Sequence, residues 1–354
     1  MEQSVLVRAE RLRSLLAGTL EGLGVSAARA ATVAELLVEA DLRGVDSHGA
    51  HLMALYVSRI RSGHLRPDAD VKVLADEGAT VHLDAGLGFG QVAGLQAASV
   101  VAERAGQFGT AVVAVREATH LGALASYTSR VAEAGRICFC FQNGPTLVPP
   151  YGGVTATFST NPLSYAIPTG REPMIVFDIA TTTVAGNKLL LAKKRGDERI
   201  PEGWANDERG RPTTDTEAAS VRQLQWFGGH KGFGLGLLVE LLGGVLAGSS
   251  FGHTEHTSSP LHGDDRIAKG FVLVAIDPSR FLPIDAFRDR VDALVVEVRT
   301  SERAEGVDRI WLPGEPEHHR RLERERDGIP LPAVLLDELN GFATSVGAAP
   351  LTPD

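Results

Sequence analysis

The stretch Thr110–Gln142, TAVVAVREATHLGALASYTSRVAEAGRICFCFQ, decides how the rest of the chain is read. A continuous apolar run, TAVVAV, leads through the turn REATHLGA into LASYTSRVAEAG, which has helical spacing, and out to a second apolar run, RICFCFQ. Short apolar runs bounded by turns read as buried strands, and the order strand, helix, strand predicts an α/β fold. Ligands in such folds sit where a strand passes into a helix, so His120 occupies a candidate ligand position.

Upstream, residues 5–22 and 26–43 carry apolar side chains at helical spacing, with Ser26 as the expected N-cap of the second helix. A third helix is expected over 47–62, closed by Gly63. Then VKVLADEGATVHLDAG (71–86) alternates like short strands, and GQVAGLQAASVVAERAGQFG (90–109) reads as a helix with a glycine C-cap. Downstream, 143–216 is rich in Pro, Gly and Thr, and only LSYAIP (163–168) and MIVFDIA (174–180) look like strands there. GFGLGLLVELLGGVLAG (232–248) reads as a helix buried on all sides. A polar segment (249–268), a strand GFVLVAI (270–276), a helix around 283–301, a loop WLPGEPEHHR (311–320) and a last helix (331–347) complete the chain. The parts are drawn at 1–70 (helical, substrate and dimer contacts), 71–145 (α/β), 146–310 (cofactor) and 311–354 (helices returning to the first part).

At 354 residues the chain exceeds one small core. A net charge of −9 argues against nucleic acid or an anionic membrane as partner, because the one compact basic cluster, Lys193 to Arg195, is followed at once by Asp197 and Glu198. Cys138 and Cys140, two apart in an apolar strand, cannot form an ordinary disulfide, which points to a reducing, cytoplasmic compartment. The N-terminus lacks the uncharged apolar core of a signal peptide, and 232–248, interrupted by Glu240 and six glycines, falls short of a membrane span.

Four motifs carry candidate chemistry. GLGFGQVAG (86–94) has the spacing G-x-G-x-G, not the dinucleotide fingerprint, and reads as a tight turn. FGGHKGFGLG (227–236) offers flexible backbone, the charge of Lys231 and free helix N–H groups, an anion cradle by type, with a plain glycine-rich helix entry as the alternative. His253, His256 and His262 fit no metal-ligand spacing and read as a surface loop, so no metal is expected. In VDSHG, Asp46 as N-cap would put Ser47 and His48 in the first turn of the third helix, where the helix dipole disfavours imidazolium. His48 is then a neutral general base, or simply a polar neighbour of the cap.

LRGVDSHG, ATHLGA, STNPLSYAIPT, FDIAT, IPEGWANDERGRPTTD, FGGHKGFGLGLLVELLGGVLAG and WLPGE follow one another in an order that resembles the type-2 malate/L-lactate dehydrogenase family over roughly residues 10–345. That family includes ureidoglycolate and sulfolactate dehydrogenases and the reductases of piperideine-2-carboxylate and pyrroline-2-carboxylate. The resemblance implies an α/β oxidoreductase with a non-Rossmann NAD(P)-binding fold flanked by N-terminal and C-terminal helices. It implies NAD or NADP as cofactor, a small-molecule substrate and a homodimer. By the same resemblance Ser47, His48 and His120 are catalytic. His120, Leu121, Gly122, Ala123, Leu124, Asn143, Asp178, Ile179, Ala180, His230, Lys231, Gly314 and Glu315 are cofactor contacts, and Thr160 and Tyr56 face the substrate.

The sequence departs from the family at two places. The arginine expected four residues after the DSHG histidine, which would pair bidentately with a substrate carboxylate, is Leu52. Its loss removes about 1.5 to 3 kcal/mol per charged hydrogen bond, so a simple 2-oxo acid is not expected as substrate, and the substrate is expected to present something other than a free carboxylate at that point. His51 is the nearest replacement cation. Where an Arg-Gly pair and, in the imine reductases, an acid are usual, this chain has Gly186, Asn187 and Lys188. The expected function is therefore hydride transfer between NAD(P)H and a carbonyl/hydroxyl substrate, with a cyclic imine reductase and a non-catalytic dinucleotide-binding protein as alternatives.

Overall fold

The computed structural model describes residues 4–253 and 268–352. A seven-stranded mixed sheet carries the site. Its strands are β2 (Lys72–Asp76), β3 (Thr80–Asp84), β4 (Thr110–Ala118), β5 (Ile137–Gln142), β6 (Leu163–Ile167), β7 (Ile175–Ile179) and β10 (Lys269–Ile276). They run in the order β2-β3-β4-β10-β5-β6-β7, and only β3 and β4 are parallel neighbours.

The unit that opened the sequence reading is present, with α5 (Ala125–Glu133) between β4 and β5. The two strands are not neighbours, because β10 inserts between them and pairs antiparallel with both. The alternation in β5 puts Cys138 and Cys140 on the buried face, where they are free. They pack with Val113 and Val115 of β4, Leu273 of β10 and the small-residue face of α4 (Gly90–Phe108), including Ala93, Ala97 and Val101. Small residues on α4 also let it approach α5 closely: a Cβ at Gly94 would lie 2.5 Å from the Tyr127 ring of that helix.

A second core joins the two ends of the chain. It is built from α1 (Ala9–Gly22), α2 (Ala27–Leu42), α3 (Met53–Arg61) and α10 (Ala333–Ser345), closed by β1 (Ser4–Val7) pairing antiparallel with β11 (Ile329–Pro332). A third cluster, around Trp226, Val148, Phe158 and Leu189, organises the middle segment with α6 (Gly186–Arg195) and the short strands β8 (Ala205–Asn206) and β9 (Pro212–Thr213).

Several sequence expectations are corrected. Residues 5–7 belong to strand β1, because pairing with β11 outweighs their helical spacing. The third helix is broken into two single 3-10 turns, Asp46–His48 and Ala50–Leu52, before α3 begins at Met53. The reason is Gly49: its backbone passes so close to the Asp41 carboxylate that a Cβ would sit 1.7 Å from Oδ1, and Asp41 Oδ2 accepts the Ala50 N–H at 2.8 Å. The middle segment contains α6 as well as strands, the helix expected around 283–301 is α8 (Ile284–Thr300), and the expected loop 311–320 enters α9 (Glu315–Asp327), with Gly314 as N-cap and Pro316 in its first turn.

The apolar segment 232–248 is α7 (His230–Glu240) followed by a π-helical turn, Leu241–Leu246. It is not buried on all sides. Gly243 and Gly270 touch backbone to backbone against β10, but Leu238, Leu241, Val245 and Leu246 are exposed in the single chain. Ser26 stands at the N-cap of α2 without a side-chain cap bond. The turn at Gly86 has φ +57, in keeping with a tight turn, while His256 and His262 lie outside the described residues.

Candidate active site

β4 ends at Ala118, and residues 119–124 turn back to start α5 at the mouth of a cavity of about 710 Å³. The same cavity is lined by the broken segment before α3, by the 143–147 and 159–162 loops, by the end of β7, and by the turn before α9. It is large enough for a small substrate and part of a cofactor, and its wall mixes apolar side chains with a few convergent polar groups.

Two imidazoles meet on this wall. The rings of His48 and His120 are 5.5 Å apart between centroids, with planes at 17°. Ser47 Oγ lies 3.0 Å from His48 Nδ1. The Gly122 N–H donates to His120 Nδ1 at 3.2 Å. A backbone N–H can only donate, so neutral His120 carries its proton on Nε2.

Both histidines are held neutral. Desolvation, then the charge of Lys269, lowers His48 to about 4. The same two causes, with His48 and Arg59 adding, hold His120 well below the usual imidazole range. The sequence expected neutrality for His48 from a helix dipole. The correction is that no α-helix starts there, and burial beside a cation does the work instead. Asp46 is not an N-cap side chain but pairs with Arg324 of α9 at 2.5 Å.

Asp178, at the end of β7, accepts the Ala125 N–H at 2.8 Å and so caps α5. Burial raises its carboxyl to about 6. Asn143 is fixed from three sides. Its Nδ2 donates to Ser250 O (2.7 Å) and to Glu240 Oε1 (3.3 Å), and its Oδ1 accepts the Gly270 N–H (3.0 Å). Glu240 also accepts from Asn161 Nδ2 at 2.8 Å, which ties α7 to the loop before β6.

Of the expected residues, Ser47, His48, Leu52, His120, Gly122, Ala123, Leu124, Asn143, Thr160, Asp178, Ile179, Ala180 and Gly314 line the cavity. Leu121 and Tyr56 are fully buried behind it, Tyr56 bonded to Gln91. Glu315 is also behind the wall, where its carboxylate accepts from Leu312 N and Arg299. His51, His230 and Lys231 are exposed and are not on the cavity wall. His230 contacts the Tyr151 ring edge-on, with 6.2 Å between centroids. Lys188 is likewise exposed.

The sequence reading missed Lys269, Arg43, Gln142 and Trp311, all on the wall. Lys269 was passed over because it begins an ordinary alternating strand. Its only signal was a charge abutting an apolar run. Among the described residues, no group of three metal-ligating side chains occurs and no helix is long and apolar enough to cross a membrane.

Residues 7–340 match the family model described as malate/L-lactate dehydrogenase. The malate dehydrogenase of Pyrococcus abyssi is 34% identical, covering 98% of this chain and 96% of the relative. The (2R)-3-sulfolactate dehydrogenase (NADP(+)) of Chromohalobacter salexigens is also 34% identical, covering 97% and 99%. Among solved structures, the sulfolactate dehydrogenase of Methanocaldococcus jannaschii superposes with a TM-score of 0.90 at 32% identity, covering 97% of this chain and 98% of that one.

Proposed function

The chain belongs to the malate/L-lactate dehydrogenase family, a family of oxidoreductases, and we propose that it moves a hydride between NAD(P)H and a carbonyl/hydroxyl carbon of a small molecule whose acid group is not held at position 52. The observation that carries this reading is the stacked, neutral pair His48 and His120 on the wall of one cavity.

The cavity suits a nicotinamide. Pro145, Leu147, Ile179 and Pro313 offer an apolar bed for a flat ring, and the Gly122–Leu124 turn at the N-terminus of α5 lies on the same wall. Asn143, Asp178 to Ala180 and Gly314 would hold the rest, with His230 and Lys231 as outlying contacts. The chemistry a bound nicotinamide supplies there is hydride transfer to or from the substrate carbon.

The two histidines divide the proton work. His120 has its Nδ1 lone pair engaged by Gly122 and its proton on Nε2, so in its neutral form it is a hydrogen-bond donor toward a substrate oxygen. His48 can donate Nδ1–H to Ser47 Oγ and keep Nε2 free as proton acceptor. In oxidation His48 takes the hydroxyl proton, and in reduction it returns it. Ser47 orients the ring. Replacing His48 by Asn should lower kcat by about 10²- to 10⁴-fold with cofactor affinity kept. Unchanged turnover in that variant sinks the assignment.

The exposed apolar side chains of α7 and the π-turn, Leu238, Leu241, Val245 and Leu246, support a homodimer. The two free, buried cysteines support a reducing, cytoplasmic setting. One relative is named with NADP(+) and another, a ureidoglycolate dehydrogenase of Escherichia coli O157:H7, with NAD(+), so both nicotinamide cofactors stay in view.

A further inference from the structure

We propose that Lys269 anchors the acid group of the substrate, supplying from β10 the cation that position 52 lacks, so that the substrate is a carbonyl or hydroxy compound carrying a carboxylate. The inference rests on the oxidoreductase reading and names the substrate class for it.

Lys269 opens β10 and is 6% exposed, yet it lines the same cavity as His48, His120, Leu52 and Thr160. Its neighbours along the strand, Ala268, Gly270 and Phe271, are those of an ordinary buried strand, and nothing in the sheet pairing calls for a charge there. Among the described residues its ammonium makes no hydrogen bond and no ion pair. A buried cation without a counter-ion is unfavourable, and the arrangement is relieved when an anion enters the cavity. Room for it is kept by Gly144. A Cβ there would meet Ser159 Oγ at 2.5 Å and stand 3.9 Å from Lys269 Nζ.

The position fits the chemistry on either side. Burial, with the charge of Arg59, pushes the ammonium down to about 7, so an arriving carboxylate restores its charge. Lys269 is close enough to depress both His48 and His120, so an anion seated on it lies beside the proton-handling pair. Neutralising the lysine also lifts the field that disfavours imidazolium, which makes His48 a readier proton acceptor once an acid substrate is bound. Leu52 offers no polar contact, and His51 is exposed and off the cavity wall.

The test uses the purified full chain and oxamate, an unreactive 2-oxo acid isostere, titrated calorimetrically in the presence and absence of NADH and NADPH. The wild type, Lys269→Met and Lys269→Arg are compared. Lys269→Met should bind the reduced cofactor unchanged, lose at least tenfold in oxamate affinity at pH 7, and lose the preference for 2-oxo acids over their methyl esters in turnover. Above pH 7, wild-type oxamate affinity should fall toward tenfold per pH unit, while Lys269→Arg stays flat. The other groups around the lysine do not imitate this. His48 and His120 are already neutral, Asp178 titrates near 6, and Glu240 is committed to Asn143 and Asn161. Equal oxamate affinity in the wild type and Lys269→Met overturns the anchor, as does a pH-independent wild type. So does a wild type that binds neither oxamate nor any 2-oxo acid. Failure of the wild type to bind either cofactor would instead remove the oxidoreductase reading, and oxamate binding without cofactor would then decide the anchor alone.

Discussion

His48 and His120 face one another across 5.5 Å with ring planes only 17° apart, although 72 residues separate them in the chain. Two imidazoles this close cannot both be charged, and burial beside Lys269 keeps both neutral. For an uncharged alcohol substrate, kcat/KM for oxidation should therefore have its main fall where His48 protonates, near 4. A decline centred near the ordinary imidazole value of 6.5, in the free enzyme, would contradict the neutral pair.

Replacing Gly49 by Ala forces a Cβ to within 1.7 Å of Asp41 Oδ1. Either the carboxylate, which accepts the Ala50 N–H, or the 46–52 segment, which carries His48, must move. Stability should drop by about 1–3 kcal/mol, with activity reduced further than stability explains. Chemical denaturation and steady-state rates on the same preparation check this.

Asp41 is buried and its carboxyl is raised to about 7, chiefly by desolvation. A raised folded-state value means that its stabilising contribution is complete below its unfolded value near 3.8 and is lost as pH climbs through about 7. Asp41→Asn removes that loss. The variant should gain on the wild type by up to about 1.4 kcal/mol per pH unit between pH 4 and 7, and no more above it. Parallel stability curves would show that Asp41 is ionised throughout.

Glu240 holds Asn143, Asn161 and the Gly252 N–H together behind the cavity. Glu240→Leu leaves these buried donors unpaired and should cost about 2–5 kcal/mol, whereas Glu240→Gln, which still accepts, should cost less. Urea unfolding of both variants distinguishes a bonded network from mere volume.

Leu238 and Leu246 are 43% and 58% exposed in the single chain, on the apolar flank beside the π-turn. Leu246→Asp should convert the expected dimer to a monomer in light scattering after gel filtration. A wild type that is already monomeric would remove the dimer from the proposed function.

The sheet was readable because continuous apolar runs and glycine breaks mark strands directly, as in Thr110–Ala118 and Ile137–Gln142. The insertion of β10 between β4 and β5 was not readable, since a pairing at least 129 residues away, Phe271 with Gln142, leaves no local periodicity. α6 was hidden by the Pro, Gly and Thr around it, and α9 by its lack of apolar residues, its helix resting on the Gly314 cap, Pro316 and charge pairs such as Arg321–Glu325. DSHG and THLG were visible as motifs, but their meeting is tertiary. The break before α3 depends on the close approach of Asp41 to Gly49, and the buried charge of Lys269 on a cavity that no single segment defines.

The most direct measurement is fluorescence titration of NADH and NADPH, each against the wild type, His120→Ala and Lys231→Ala. Tight binding of one cofactor is expected, weakened at least tenfold by His120→Ala and only modestly by Lys231→Ala, which is off the cavity wall. Binding of neither cofactor to the wild type would contradict the hydride-transfer function, and a loss confined to Lys231→Ala would place the cofactor outside the cavity that His48 and His120 share.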